Sequence, residues 1–236
     1  MGILAFLKPV YKFLALALLT YALIVGLGRN LPDMGGNMAQ TSRNVFYHVP
    51  MWFCLYTMMA ISVVGSILYL RKSNEYYDIL AAESAKTGMM FGLLGLSTGI
   101  VWSRVTWREL IPSSDFAAWW SWDPKLTMVV IAIMIYLAYF ILRSGIDDPN
   151  QKARISAVYN IFAAATLVPL TYLIPRLLGG LHPGGDAGNP LENVSLSNEF
   201  RAVFYPAAVG FILLAIWILE LRVRYLMLHL KSHNHA

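Results

Sequence analysis

Two histidines and a cluster of tryptophans in this sequence have types and spacings that suit ligand binding as well as packing. His48 stands in "YHVPMW" and His182 in "LHPGG", and the stretch between them contains "WWSWDPKLT" at Trp119 to Thr127. Two neutral imidazoles above an aromatic surface fit a flat metal macrocycle, because haem iron takes two axial nitrogens while the porphyrin packs against rings. Two histidines without a third ligand are a poor site for tetrahedral zinc.

The rest of the sequence supplies membrane helices that must position these side chains. Hydrophobic residues make up 58% of the 236 residues and charged residues 13%, which excludes an ordinary soluble domain. A helix needs ~20 apolar residues to cross a ~30 Å hydrocarbon layer. Six runs approach that length: Val10 to Gly28, Val49 to Leu70, Thr87 to Ser103, Leu126 to Leu142, Ile155 to Ile174 and Val203 to Leu219. The sequence therefore predicts an all-α polytopic membrane protein, a bundle of six transmembrane helices forming one domain over residues 1–236.

Three longer connections lie on one side of the predicted bundle, at residues 29–48, 104–125 and 175–202. Of the 18 lysines and arginines, eleven fall on the side of the termini and seven on the side of these loops. Because basic residues concentrate in cytoplasmic flanks, we expect both termini in the cytoplasm and the three loops outside.

The tryptophans are distributed unevenly across the membrane. Ordinary aromatic belts decorate both interfaces, but here only Trp217 lies near the inner boundary. The other six belong to the outer half: Trp52, Trp102, Trp107, Trp119, Trp120 and Trp122. This asymmetry favours an aromatic platform for a large flat partner, although Trp119 and Trp122 could also anchor an interfacial helix.

Asp123 and the outer basic residues have structural and functional interpretations. Asp123 before Pro124 is a typical helix start, with the carboxylate capping free amides and proline in the first turn. A capping role and a role in the site both remain open. The propionates of haem need cationic partners, and the outer side offers Arg104, Arg108, Lys125, Arg176 and Arg201.

Glycines and prolines in the spans predict packing features. Small residues on one face of the third span, at Gly88, Gly92, Gly95 and Gly99, indicate close approach of a neighbouring helix. In the fifth span, Pro169 predicts a bend and Pro175 predicts the end of the helix.

The "WWSWDPKLT" stretch resembles the tryptophan-rich WWD signature of haem-handling proteins in cytochrome c maturation, and "YHVPMW" and "LHPGG" resemble the two flanking histidine sites. With six spans and one such loop between the third and fourth, the chain resembles the CcmC type over essentially its whole length. Larger relatives of the CcsA and CcmF type share the loop but carry more spans and further histidines.

The resemblance implies a periplasmic site for non-covalently bound haem b in the bacterial inner membrane. It implies that the chain is a haem-binding protein rather than an enzyme, and that it presents haem to the chaperone CcmE. The ABC transporter CcmA/CcmB and the small protein CcmD would be further partners. The implied axial ligands are His48 and His182, and the implied platform is Trp119, Trp120, Trp122 and Asp123.

The chain departs from the usual family pattern at the platform. Lys125 stands where arginine is usual, the usual tryptophan-glycine pair before the core is absent, and "RELIPSSDF" lengthens the loop. A lysine keeps the charge but loses the planar fork that clamps a carboxylate.

Other functions remain open from the sequence. A short WWD protein could be the haem-binding component of a cytochrome c synthetase of the other maturation system. A haem transporter would need ionisable residues or broken helices at the midplane, where the spans offer Ser, Thr, Asn160 and Pro169. A b-type electron-transfer subunit would normally hold its ligand histidines within helices, and a structural anchor would leave the tryptophans unexplained.

Overall fold

The computed structural model describes the backbone of residues 3–28, 38–110, 119–182 and 197–233. The regular structure within these ranges is helical, as required where hydrocarbon leaves the backbone no other hydrogen-bond partner. The helices are α1 (Ile3–Gly28), α2 (Met38–Thr41), α3 (Val45–Lys72), α4 (Glu75–Leu110), α5 (Pro124–Ser144), α6 (Pro149–Val168), α7 (Ile174–Leu178) and α8 (Asn198–His233). A 3₁₀ turn at Ser42–Asn44 leads into α3, and a π-helical turn at Pro169–Leu173 joins α6 to α7.

Six helical segments within the described ranges are long and apolar enough to cross a membrane. Each contains one of the six predicted runs, and the fifth combines α6, the π turn and α7 into one segment of 30 residues, Pro149–Leu178. The prediction of an all-α fold with six membrane helices is therefore confirmed.

Two helices extend beyond their hydropathy runs at the end of the bundle opposite the termini. α4 continues beyond Ser103 to Leu110, and α3 already begins at Val45. The expected loops 29–48 and 104–125 are correspondingly shorter, because hydropathy marks the hydrocarbon layer rather than the end of the helix. The prediction that Pro175 ends its helix is wrong, since α7 continues to Leu178. Pro175 stands in the first turn of α7, where a missing N–H is tolerated.

The glycine face of α4 packs directly on α3. A Cβ added at Gly88 would lie 2.9 Å from the Cβ of Met58, and one at Gly92 would touch Leu55 at 3.4 Å. Small residues at these positions let the two backbones approach closely, so the packing predicted for this face is confirmed.

Ion pairs join the helices at the end of the bundle that holds the termini. Arg143 of α5 donates two hydrogen bonds to Asp78 of α4, at 2.8 and 2.6 Å. Glu83 of α4 is 2% exposed and accepts from Lys86 and from Arg222 of α8, both at 2.6 Å. The buried charges described at this end therefore have partners of opposite charge, as burial requires.

Candidate functional site

His48 lies in the first turn of α3 rather than in the preceding loop, and both of its ring nitrogens have partners. Nδ1 is 3.0 Å from Oγ1 of Thr98 on α4, and Nε2 accepts the indole N–H of Trp52 at 3.2 Å. Trp52 is one helical turn after His48, and the two rings meet edge to face.

The hydroxyl of Thr98 fixes which nitrogen of His48 carries the proton. This hydroxyl donates to the carbonyls of Leu94 and Gly95, at 2.9 and 3.0 Å. Its single proton is thereby used, so Nδ1 of His48 must be the donor to Thr98. The lone pair available to a metal is consequently the one on Nε2.

Two glycines of α4 form the seat for His48 and Trp52. A Cβ at Gly99 would lie 2.9 Å from Cε1 of His48, and a Cβ at Gly95 would lie 3.0 Å from the Trp52 ring. The glycine face predicted for packing thus also holds the histidine side chain at this end of the bundle.

Asp123 caps α5 as the Asp-Pro pair predicts. Its Oδ1 accepts the backbone N–H of Lys125 at 2.8 Å, and Pro124 stands in the first turn. Its Oδ2 accepts the backbone N–H of Leu181, also at 2.8 Å. The carboxylate therefore joins the tryptophan stretch to the segment that carries His182.

Lys125 connects α5 to the π turn before α7. Its ammonium group donates to the backbone carbonyl of Thr171. In a regular α-helix this carbonyl would accept from residue 175, but Pro175 has no N–H. Lys125 thus donates to a carbonyl that Pro175 cannot serve.

His182 follows Leu181 and lies at the same end of the bundle as His48. His182 and Lys125 are both close enough to interact electrostatically with His48. Tyr56 of α3 also hydrogen-bonds Thr171 through their hydroxyls, at 2.6 Å, and so joins α3 to the π turn. The structure therefore brings the two predicted ligand histidines into one neighbourhood.

Arg104 and Arg176 each present a buried guanidinium nitrogen that has no hydrogen-bond partner among the described residues: Nη1 of Arg104 and Nη2 of Arg176. Arg104 stacks on the Trp119 ring, with 3.7 Å between its Cζ and the ring centroid, and Arg176 lies 4.2 Å above the Tyr172 ring. Such nitrogens suit anionic oxygens. Of the other predicted cations, Arg201 is exposed, and the side chain of Arg108 lies outside the described residues.

The three tryptophans of the WWD stretch stand at the end of the bundle opposite the termini. Trp119 is 63% exposed and Trp122 is 82% exposed, while Trp120 is half-buried and meets Trp122 edge to face. Arg104, which stacks on Trp119, is six residues after Thr98, about 9 Å along the helix axis at 1.5 Å per residue. The indole surface therefore lies beyond the His48 seat.

Chemically, this arrangement offers two imidazoles, two guanidinium groups with spare donors and exposed indole rings. Among the described residues, no group of three or more His, Cys, Asp and Glu could hold a metal ion. An ion shared by the two histidines would have to bring further ligands of its own, as porphyrin-bound iron does.

Sequence reasoning missed three partners of the site: Thr98, Leu181 and Thr171. Trp52 had been noted only as one of six outer tryptophans, although its spacing of four from His48 on a helix signals contact. The bonds made by Leu181 and Thr171 join residues far apart in sequence. Asp123 and Leu181 are 58 residues apart, and Lys125 and Thr171 are 46 residues apart. No local pattern reveals such pairs.

Comparison with known proteins identifies the family. The family model described as CcmC, Heme exporter protein C, matches residues 1–236. The Heme exporter protein C of Paracoccus denitrificans is 25% identical over 184 residues, which cover 78% of this chain and 72% of that protein. The Haemophilus influenzae protein of the same name is 27% identical over 221 residues, covering 92% and 83% of the two chains. That of Escherichia coli K12 is 23% identical over 230 residues, covering 96% and 86%. Since the family match spans the whole chain, the protein belongs to the Heme exporter protein C family, CcmC.

Proposed function

We propose that this protein binds haem b non-covalently at the periplasmic face of the bacterial inner membrane and delivers it to the haem chaperone CcmE. His48, through Nε2, and His182 are the proposed axial ligands of the iron. The observation that carries the proposal is the proximity of these two histidines, which are more than 100 residues apart in sequence. Membership of a family named for heme export supports it.

The basic residues of the site suit the two propionates of haem. Arg104 and Arg176 each hold a buried nitrogen without a described hydrogen-bond partner, which a carboxylate oxygen would satisfy. Lys125 has three N–H donors, of which its bond to Thr171 uses one. We propose Arg104 and Arg176 as the main propionate partners and Lys125 as an additional cation nearby.

The chain's own residues hold and orient the cargo. Thr98 holds the protonated Nδ1 of His48, so that the lone pair is on Nε2, where it accepts from Trp52 in the haem-free protein. Trp119 and Trp122 provide exposed aromatic surface for the porphyrin face, with the half-buried Trp120 beside Trp122. Bond formation on haem belongs to the partner, so the proposed role is binding and delivery, with CcmA/CcmB and CcmD as further components.

Transport through the chain itself is less well supported. Asn160, a buried amide of the fifth span, donates to the hydroxyls of Ser62 and Ser66, both at 2.8 Å. Such bonds are typical of polar contacts that hold membrane helices together. A b-type electron-transfer subunit would normally hold both ligand histidines within helices. His48 fits this pattern, but His182 lies outside the helices, in the segment after α7.

The test is the visible absorption spectrum of the full chain purified in detergent, before and after dithionite. We expect a six-coordinate low-spin haem spectrum with two nitrogen ligands. His48→Ala and His182→Ala should each lose this spectrum or most of the bound haem. His229→Ala, at the opposite end of α8, is the matched control and should not. Identical spectra from all three variants would refute the ligand assignment.

Delivery is tested separately with Trp119→Ala. We expect this variant to retain its fold and to transfer haem more slowly to purified CcmE than the parent does. Transfer to apocytochrome c without CcmE would instead support the synthetase alternative. Normal handover to CcmE by the variant would remove the tryptophan platform from the proposal.

A further inference from the structure

The Asp123 carboxylate uses its two oxygens for two different parts of the chain. Oδ1 accepts from Lys125 at the start of α5, and Oδ2 accepts from Leu181, the residue before His182. Both bonds measure 2.8 Å, and Asp123 is only 6% exposed. A single buried side chain thus fixes the backbone next to a proposed iron ligand.

Gly180 makes this approach possible. A Cβ at this position would lie 2.6 Å from Oδ2 of Asp123, which is closer than real Cβ contacts come, and 3.3 Å from its Cγ. The φ of Gly180 is +158°, a conformation that residues with side chains rarely adopt. Gly180 therefore allows the Asp123 carboxylate to reach the backbone N–H of Leu181.

Helix capping alone does not require an aspartate here. Serine, asparagine and aspartate cap helices about equally well. Asparagine, however, has only one acceptor oxygen, and its amide nitrogen would face an N–H donor. Only a carboxylate accepts both N–H groups of Lys125 and Leu181, and bonds to an ionised acceptor are the stronger kind.

We propose that Asp123 is a positioning residue that places His182 for iron ligation through the Leu181 N–H, without touching haem itself. This inference rests on the haem site of the proposed function. It assigns the aspartate of the WWD stretch a task distinct from that of the tryptophans. The tryptophan stretch and the His182 segment are held at one fixed separation.

The first test uses the haem-free full-length protein and hydrogen–deuterium exchange of the peptide that contains Leu181. Asp123→Asn should accelerate exchange at Leu181 about tenfold or more, as expected for loss of a hydrogen bond to a charged acceptor. The matched control is Asp148→Asn, the same change at the cap of α6, where the carboxylate accepts from Gln151. This control should leave the Leu181 peptide unchanged.

The second test uses the haem-loaded protein. Asp123→Asn should convert much of the six-coordinate spectrum to a five-coordinate one, and added imidazole should restore the six-coordinate form by replacing the displaced ligand. Gly180→Ala keeps the carboxylate and the cap but pushes Leu181 away, so it should give the same spectral change. It also serves as the second variant should Asp123→Asn fail to fold.

Unchanged exchange at Leu181 together with an unchanged spectrum, in Asp123→Asn or in Gly180→Ala, would overturn the inference. Its failure is distinguishable from failure of the proposed function. A parent protein without two-histidine ligation refutes the proposed function, and with it the role of Asp123 in ligation. A parent protein with two-histidine ligation that survives both variants refutes only the positioning role.

Discussion

Trp52 and His48 form a hydrogen bond that would compete with the proposed ligation of iron by His48. The indole N–H occupies Nε2, the nitrogen that carries the lone pair, at 3.2 Å. Iron can bind this nitrogen only when the indole has moved away, so the free energy of the hydrogen bond opposes haem binding. A protein that must release its cargo benefits from such a built-in limit on affinity.

Trp52→Phe keeps an aromatic ring against Gly95 but removes the N–H donor. We expect haem affinity to rise about 2- to 12-fold, because a neutral hydrogen bond contributes about 0.5–1.5 kcal/mol. Titration of haem into the haem-free protein, followed at the Soret band, measures the change. Trp102→Phe is the control, since Trp102 contacts Trp107 and has no bond to His48. Weaker binding by Trp52→Phe would mean that the indole supports haem instead.

The contacts of a residue can be predicted from the sequence when its partner is close in the chain. The cap at Asp123 follows from the adjacent proline and needs no tertiary information. The second bond of Asp123 could not be predicted, because Leu181 is 58 residues away and offers a backbone N–H that every residue shares. The choice of Arg104 and Arg176 among five outer cations likewise depends on burial, which spacing does not reveal.

The segment formed by α6, the π turn and α7 depends on a contact from α5. Pro175 leaves the Thr171 carbonyl without its usual helical donor, and Lys125 from α5 donates to it. This bond fixes the start of α5 against the turn that leads to His182. Lys125, which stands where arginine is usual in the family pattern, therefore has a structural role.

Lys125→Met tests this dependence, because it keeps most of the side-chain length and removes the donor. We expect the haem-free protein to lose about 1–3 kcal/mol of stability, since a buried carbonyl is left unsatisfied. Unfolding in detergent measures the loss. In a Pro175→Ala background, where residue 175 regains its N–H, the same lysine change should be less damaging. Equal losses in both backgrounds would contradict the account.

The membrane spans were predictable because burial in hydrocarbon demands a long apolar run, which the sequence displays directly. The ends of α3 and α4 were not, because the outer turns continue into the polar interface, where hydropathy no longer marks the helix. The placement of His48 inside α3 follows from this extension. The proposed ligand His48 is therefore held by a helix and not by the loop that the sequence predicts.

The whole bundle is electrically asymmetric from one end to the other. At the end with the termini, Glu83 and Asp78 pair with cations from neighbouring helices. At the opposite end, Arg104 and Arg176 stack on aromatic rings and keep spare donors within the described part of the chain. The first end is held together by ion pairs, and the second offers the cationic donors that the proposed function assigns to propionates.

The orientation of this asymmetry can be tested by cysteine labelling. Cys54 is buried and is first replaced by alanine, after which Trp122→Cys or Gln151→Cys supplies a single exposed thiol at one end of the bundle. We expect a membrane-impermeant maleimide to label Trp122→Cys in intact cells, and Gln151→Cys only after permeabilisation. The reverse pattern would place both termini outside the cytoplasm.

The spare guanidinium groups also bear on which edge of haem a partner would meet. Haem b carries both propionates on one edge and its vinyl groups away from that edge. With the acid edge drawn towards Arg104 and Arg176, the vinyl-bearing edge would point away from these cations and from the Trp119 ring on which Arg104 stacks. A chaperone approaching over the exposed tryptophans would then meet the acid edge first, and the porphyrin would have to turn before an alkene carbon could be bonded.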